Sequence, residues 1–348
     1  MTNAANAVLS LHASRAAPSV WPEQHSSENI HRGGRMHHKL ARRQFLKTVG
    51  LGALAATGME LLELPAVAAI SPAFNTNSSN VARLLSGCCA YSYDKELRQG
   101  TMTLEDFILK AVELRLDGID MTAYYFKSTD PKYLHGLRHL AYKHAVPFSG
   151  SACRASMVQA DAKKRADCLK EIKKWVDVTE QLGASHLRIF AGKLPPDATL
   201  QQGIGWTVET MKAGCDYSAQ KGITLGLEDH VGVSQSADVC LEIMQRVNSP
   251  YAGINLDITN YIPTASQDAY AQIAACVPYA THIHIRDHFY DHTPVDMDRV
   301  WQLFAKAGYK GYVSAEYERS LPGGDAAAVG VPKLVAEIQT LCRKYSSV

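Results

Sequence analysis

The 348-residue sequence lacks the features that mark nucleic-acid enzymes, disulfide-rich domains and membrane proteins. Its 36 Lys and Arg nearly balance its 34 Asp and Glu, so it has no charge excess of the kind that binds a polyanion. Its eight cysteines form no CxxC pair, and we expect mostly free, buried thiols. Beyond the N-terminal segment, no stretch has the ~20 apolar residues needed to span a bilayer. We therefore predict a soluble protein with no nucleic-acid partner and no stable membrane association.

The N-terminal segment has the pattern of a twin-arginine export signal. Arg42 and Arg43 precede a Gly/Ala-rich, weakly apolar run, and the small residues Ala66 and Ala68 follow where a signal peptidase cleaves. We predict a signal in 1–68, a linker over 69–81 and an exported, periplasmic protein; the alternative is a buried helix with a basic start. Because Met36 would give a signal of ordinary length, residues 1–35 are suspected to precede the true start. Removing 1–68 leaves 29 basic and 30 acidic residues.

From about residue 82, short apolar runs alternate with longer amphipathic ones, which is typical of repeated βα units. Eight units in roughly 265 residues match a single-domain (β/α)8 TIM barrel over 82–348. The alternative, an open doubly wound sheet, is disfavoured because no Gly-rich turn follows the first strand. The predicted strands are Leu84–Tyr93, Gly118–Ala123, Pro147–Ala152, Ser185–Ala191, Ile223–Asp229, Tyr251–Asp257, Ala280–Arg286 and Gly311–Tyr317.

Residue parity on the last four predicted strands indicates a metal site. Along each strand, aliphatic residues alternate with polar ones, so that one type occupies the odd positions and the other the even positions. This is expected where side chains point alternately toward the helices and into the barrel interior. At the C-terminal ends, where active sites of such barrels form, the inward residues are Glu228, Asp257, His284 and Glu316. Three carboxylates this close repel each other unless some are protonated or a cation is present. We therefore predict that these four bind one divalent ion, with His282 one layer deeper in the core.

The same segments are similar to a known family. The stretches "LGLEDHVG", "GINLDITN", "HIHIRD" and "YVSAEYE" resemble the xylose-isomerase-like sugar isomerase/epimerase superfamily, and the resemblance extends over about residues 82–345. It implies the same four metal ligands and one divalent ion. Oxygen-rich ligation with one imidazole suits Mn²⁺ best, with Mg²⁺, Co²⁺, Fe²⁺ or Zn²⁺ as alternatives. It also implies a small sugar substrate and assembly as a homodimer or homotetramer.

The resemblance further implies proton abstraction from a carbon next to a carbonyl, through a metal-bound enediolate. Glu228 and Glu316 would be the two catalytic carboxylates, one removing the proton and the other returning it. At Asn260, ketose 3-epimerases of the family tend to have a histidine, so a simple 3-epimerase assignment does not follow. Arg188 has an alternative role in a buried salt bridge, for example with Asp120. The expected substrate-binding residues are His230, Arg286, Asn260, Arg188, Asp120 and Tyr124.

The substrate expected from the sequence is a non-phosphorylated sugar or keto-sugar. Sugar phosphates are kept in the cytoplasm, and the chain shows no Gly-rich phosphate loop. Three alternatives remain at this stage. The same chemistry would support a metal-dependent lyase that acts by β-elimination on 3-keto-glycosides. The barrel could also be a non-catalytic sugar-binding protein, or an endonuclease-IV-like enzyme, which would need more metal ligands and a basic groove.

Overall fold

A computed structural model describes residues 81–261, 268–318 and 326–346. Within them, eight parallel strands close into a barrel in chain order, which confirms the (β/α)8 prediction over the open sheet. The predicted export signal (1–68) and all of the predicted linker except its last residue lie outside the described residues. The strands are β1 Arg83–Cys89, β2 Gly118–Thr122, β3 Phe148–Ser156, β4 His186–Phe190, β5 Thr224–Glu228, β6 Ala252–Asp257, β7 Ala280–Ile285 and β8 Lys310–Ala315.

Helices connect successive strands, and the sequence marks several of their ends. Thr103 and Thr199 each form a capping box with the residue three positions later, while Gly183 and Gly308 end their helices in the left-handed conformation. The helices are α1 Asp94–Gln99, α2 Leu104–Glu113, α3 Pro131–Lys143, α4 Ala162–Leu182, α5 Leu200–Ala219, α6 Ala237–Val247, α7 Ala269–Cys276, α8 Met297–Ala307 and α9 Val331–Tyr345.

Two strand predictions need correction at their C-terminal ends. The first strand was expected to reach Tyr93 but ends at Cys89, and a 3-10 turn covers Ala90–Tyr93. Within this turn Ser92 Oγ donates to the Ala315 carbonyl at 2.9 Å and accepts from the Tyr317 amide at 2.9 Å, which ties the turn to the end of β8. The third strand continues past its predicted end to Ser156.

Aromatic and imidazole rings fill one layer of the barrel interior. His282 stacks between His186 and Tyr312, with ring centroids 5.2 and 6.1 Å away, and its Nε2 lies 3.1 Å from Ser149 Oγ. Gly226 makes room for this layer, because a Cβ there would lie 2.3 Å from His186 Nε2. Burial lowers the pKa of His282 to about 4, so its imidazole is neutral. His282 therefore belongs to the core, where the sequence placed it.

The cysteines agree with the expectation from composition. All eight cysteines are free and buried, and burial raises the pKa of the Cys88, Cys153 and Cys276 thiols to about 12. In the described part of the chain, no helix combines the length and hydropathy required to cross a membrane.

Candidate active site

The structure brings the four predicted metal ligands to one end of the barrel. Glu228 and Asp257 are the last residues of β5 and β6, His284 lies in β7 opposite Asp257, and Glu316 follows β8 directly. Their exposed fractions are between 0% and 3%. The aliphatic residues beside them, such as Leu227 and Leu256, are fully buried in the hydrophobic core. Three carboxylates and an imidazole thus share a buried pocket at the C-terminal ends of neighbouring strands.

Two arginines neutralise these carboxylates. Arg188 Nη1 lies 2.5 Å from Glu228 Oε2 and 3.9 Å from Glu316 Oε1. Arg286 Nη2 lies 2.5 Å from Asp257 Oδ2 and 3.3 Å from Glu316 Oε2. Glu316 is therefore the carboxylate that both guanidinium groups share. Arg188 thus forms the buried salt bridge that was its alternative role, but its partner is Glu228 on the neighbouring strand β5 and not the suggested Asp120.

His284 is the link between the carboxylates and β2. Its Nε2 lies at hydrogen-bonding distance, 3.1 Å, from Asp120 Oδ2. Its Nδ1 lies 3.4 Å from Glu316 Oε2 but makes no hydrogen bond within the described residues. A histidine that binds a metal through one ring nitrogen commonly donates the N–H of the other to a carboxylate. This hydrogen bond fixes the orientation of the ring and of the lone pair that faces the metal. An imidazole held by Asp120 with Nδ1 facing carboxylates fits a divalent ion.

The charges of the pocket are strongly coupled. Burial raises the pKa of Glu228, and the Arg188 charge opposes this. Burial would also raise the pKa of Glu316, but His284, Arg286 and Arg188 together hold it well below its usual range. Burial would lower the pKa of His284, yet Glu316 and Asp120 raise it well above normal. A proton on His284 therefore competes with a metal ion for the same nitrogen, because a ligating imidazole must be neutral.

A second set of donors includes a residue that the sequence analysis missed. One group of three potential metal ligands lies within 4.8 Å of one another: Cys89 Sγ, Asp120 and His284. It is the only such group among the described residues. The predicted four ligands do not meet as closely as a set, and Arg188 and Arg286 lie between their oxygens. Burial, with Asp120 and Glu316, raises the pKa of Cys89 well above its usual range. By geometry, Cys89, Asp120 and His284 are therefore the closest group of potential metal ligands in the described part of the chain, and His284 belongs to both sets.

Cys89 could have been found from the sequence. It shares its parity with Gly87, and both pair in register with inward residues of β2, Cys89 lying opposite Asp120. The same alternation of side chains on the first strand selects Cys89 at its C-terminal end once that strand ends at Cys89 and not at Tyr93.

Neighbouring polar groups fix Asp257. Its Oδ1 accepts from the Thr259 amide and hydroxyl at 3.1 and 2.6 Å, and its own amide donates to Asp229 Oδ1 at 2.7 Å. Asp229 is fully buried, and the sequence analysis did not single it out. Asn260 ends the following turn with 6% exposure, and its Nδ2 has no hydrogen-bond partner among the described residues. The amide of Asn260 is therefore a buried donor that the described residues leave unpaired.

The remaining predicted substrate contacts lie at the rim of the pocket. His230 is exposed two residues beyond β5, with its ring 4.9 Å from that of Phe190. Tyr124 lies half-buried in the turn after β2. The Arg188 guanidinium packs 4.4 Å over the Phe190 ring, and Phe190 pairs in register with Glu228 on the neighbouring strand.

Comparisons with known proteins agree with this architecture. Residues 108–336 match the family model described as xylose isomerase-like TIM barrel. A search of curated proteins found no match. Among solved structures, one similar chain is the 3-keto-D-glucoside 4-epimerase YcjR from E. coli, at 14% identity over 74% of this chain and 99% of that chain, with a TM-score of 0.58.

Two other similar structures have higher TM-scores. D-psicose 3-epimerase with D-tagatose from Clostridium cellulolyticum H10 is 12% identical over 76% of this chain and 100% of that chain, with a TM-score of 0.62. The IOLI protein with a binding zinc atom is 15% identical over the same shares, also at 0.62. At these identities the likeness concerns the fold. With its closed barrel and a family match over most of its length, the chain belongs to the xylose isomerase-like TIM barrel family.

Proposed function

We propose that the protein is a divalent-metal-dependent sugar isomerase or epimerase that removes a proton from a carbon next to a carbonyl. Its substrate would be a non-phosphorylated sugar or keto-sugar. The observation that carries this proposal is the Nδ1 of His284, which faces Glu316 at 3.4 Å without a hydrogen bond among the described residues. The similar structures named as sugar epimerases, and the one named with zinc, support it.

Glu228, Asp257, His284 and Glu316 would hold the ion, with Mn²⁺ the first candidate among Mn²⁺, Mg²⁺, Co²⁺, Fe²⁺ and Zn²⁺. A bound divalent ion supplies polarisation of the substrate carbonyl and stabilises the negative charge that develops on its oxygen. Arg188 and Arg286 already contact the same carboxylates. Their guanidinium groups would orient Glu228 and Glu316 and bind substrate hydroxyl or carbonyl oxygens.

Proton transfer falls to the two glutamates. Glu228 ends β5 and Glu316 follows β8, so their carboxylates approach a substrate from different sides. One carboxylate oxygen takes the proton from the carbon, and the other glutamate returns a proton to the same or the adjacent carbon. With exposed fractions of 1% and 3%, both groups act out of contact with bulk water. His230, Asn260 and Tyr124 would bind substrate hydroxyls.

Hydrogen exchange tests this proposal directly. The protein is stripped with EDTA, reloaded separately with each candidate ion, and incubated in D₂O with D-fructose, D-psicose, D-tagatose and a 3-keto-glucoside. We expect metal-dependent deuterium incorporation at the carbon next to the carbonyl, observed by NMR. Glu228→Gln should reduce the rate at least about 100-fold, whereas Glu337→Gln, on the exposed surface of α9, should not change it.

The products separate the remaining alternatives. Loss of the substituent at the β-carbon of a 3-keto-glycoside would indicate the lyase instead of the isomerase. Binding of sugars without any exchange in the metal-loaded protein would contradict the proposal and indicate a non-catalytic sugar-binding barrel.

A further inference from the structure

Arg154 stands at the mouth of the barrel in a position that the sequence analysis did not reach. The predicted third strand ended at Ala152, but β3 continues to Ser156. Cys153 and Ala155 lie in the hydrophobic core at 0% and 7% exposure. Arg154 lies between them and is exposed, because successive side chains of a strand point to opposite faces. Its side chain therefore points toward the mouth, away from the helices.

The Arg154 guanidinium is held over an aromatic ring of the rim. Its Cζ lies 4.8 Å from the centroid of the Tyr124 ring, within the range of a cation–π interaction. Tyr124 also lies close enough to the pocket to respond to its charges. Burial raises the pKa of the Tyr124 hydroxyl, Arg188 and Arg154 oppose the rise, and Glu228 adds to it. Ala152, two residues before Arg154, pairs in register with Arg188 of the pocket, so Arg154 lies beyond Arg188 toward the C-terminal ends of the strands.

Arg154 differs from the other arginines around this pocket in having no anionic partner. Arg188 and Arg286 are each 2.5 Å from a carboxylate oxygen, and Arg98, which also approaches Tyr124, pairs with Asp94 at 2.6 Å. In the part of the chain that the structure describes, no carboxylate oxygen lies within 4.0 Å of a nitrogen of Arg154. A guanidinium that is held over an aromatic ring and has no carboxylate partner is suited to bind an oxyanion with two parallel hydrogen bonds.

We propose that Arg154 binds a carboxylate of the substrate, so that the protein acts on an acidic sugar, a uronic acid or related sugar acid, in preference to a neutral one. This inference rests on the proposed function and names its substrate class. A carboxylate is favoured over a phosphate because a single guanidinium matches its two oxygens, whereas phosphate sites usually combine several donors such as a helix N-terminus.

The test compares matched neutral and acidic sugars. The Mn²⁺-loaded protein is titrated with D-glucose and D-glucuronate, D-galactose and D-galacturonate, and D-mannose and D-mannuronate, with glucose 6-phosphate as a separate arm. Binding is followed by intrinsic fluorescence or calorimetry, and D₂O exchange is measured on the same samples. We expect at least one acid to bind more tightly than its neutral partner. Arg154→Met should lower the affinity of the protein for that acid about 10- to 100-fold. Its affinity for the neutral sugar should fall less than 2-fold.

Two further variants make the result specific. Arg154→Lys keeps the charge but loses the paired N–H groups. Its affinity for the acidic sugar should therefore lie between those of the wild type and Arg154→Met. Arg343→Met removes an exposed arginine near the C-terminal end of α9 and should change neither sugar.

The outcomes separate this inference from the proposed function. Three results would show that the inference is wrong, even where metal-dependent exchange occurs. Neutral sugars would bind as tightly as their acids, only the phosphate would bind more tightly, or Arg154→Met would lower the affinities for both members of a pair equally. If no sugar exchanges deuterium but uronates bind through Arg154, the catalytic proposal fails and the assignment of Arg154 stands.

Discussion

At the scale of single residues, Asp120 determines how His284 faces the pocket. The two residues lie on β2 and β7, which are not neighbours in the barrel, yet Asp120 Oδ2 is 3.1 Å from His284 Nε2. Burial would raise the pKa of Asp120, but the charge and hydrogen bond of His284, with smaller contributions from His282 and Cys89, together keep the pKa below normal. Asp120 is therefore an ionised hydrogen-bond acceptor that leaves Nδ1 for the carboxylate side. The sequence predicted a substrate contact here, and the structure adds a hydrogen-bond contact with His284.

We expect Asp120→Ala to lower the affinity for Mn²⁺ about 10- to 100-fold, the usual effect of losing a carboxylate behind a metal-binding histidine. Asp120→Asn keeps an acceptor and should recover part of the loss. Asp117→Asn is the matched control, because Asp117 accepts from Ser86 at 2.7 Å and has no contact with the pocket residues. Calorimetric titration of metal into the EDTA-treated protein gives the affinities. Equal affinities for Asp120→Ala and the wild type would contradict this role.

His282 provides a second prediction, which concerns pH. Its pKa falls from 6.5 to about 4 in the folded protein because of burial. The unfolded chain therefore takes up a proton at higher pH than the folded chain, so His282 contributes a loss of stability as the pH falls from about 6.5 to 4 and no change above this window. The loss amounts to roughly 3 kcal/mol across the whole window.

Urea unfolding at several pH values, in the wild type and in His282→Gln, isolates this contribution from that of other groups. The free energy of unfolding of the variant should fall less steeply between pH 6.5 and 4. Parallel curves for the two proteins over this window would show that His282 does not resist protonation.

At the scale of strands and helices, local sequence pattern predicted which elements form but not where each ends. All eight strands were found, because a strand buried on both faces in a parallel barrel is a short run of apolar residues. The end of β1 depends on Ser92, which bonds to Ala315 and Tyr317 more than 200 positions away in the chain. No local pattern carries that information. The unpredicted extension of β3 had a larger consequence, since it concealed Arg154.

For the site, as for the strands, the alternation of residues predicted which positions matter but not which side chains contact each other. It selected Glu228, Asp257, His284 and Glu316 because alternation along a strand is a local property. It could not show that Arg188 and Arg286 lie between the carboxylates, because side-chain contacts across a barrel depend on register and on side-chain conformation. A divalent ion is therefore not the only positive charge that can relieve the repulsion between these carboxylates.

The loops after β4 and β5 give a prediction at the scale of elements. Gly232 has φ of 126°, and a Cβ there would lie 2.3 Å from the Gly192 carbonyl oxygen, to which the Val233 amide donates at 3.0 Å. We expect Gly232→Ala to push these loops apart and displace His230, reducing both the melting temperature and the exchange rate. Gly222→Ala is the control for backbone strain alone, because Gly222 has φ of 67° with open space around it. This substitution should lower the free energy of unfolding by about 1 kcal/mol.

Thermal unfolding and D₂O exchange on the two glycine variants measure this difference. If Gly232→Ala costs no more stability than Gly222→Ala and exchanges deuterium at the wild-type rate, the contact between the loops does not support the site.

At the scale of the whole molecule, the thiols bear on where the protein folds. Eight free, buried cysteines suit a chain that folds in a reducing compartment, because exposure of unpaired thiols in an oxidising one favours disulfide formation. A twin-arginine signal would export the protein after it has folded, with its metal ion already bound. Folding in the cytoplasm and function in the periplasm are then compatible.

We therefore propose export through the twin-arginine pathway and expect Arg42→Lys combined with Arg43→Lys to retain the full-length protein in the cytoplasm, because this signal is an address read through its two arginines. Cell fractionation locates the protein, and mass spectrometry of the wild type should find a mature chain that begins at Ala69. Arg83→Lys combined with Arg343→Lys is the control and should leave export unchanged, since both residues are exposed and lie outside the predicted signal. Processed protein in the periplasm from the Arg42 and Arg43 double variant would contradict the twin-arginine assignment. A mature chain that still contained residues 1–68 would exclude a cleaved signal altogether.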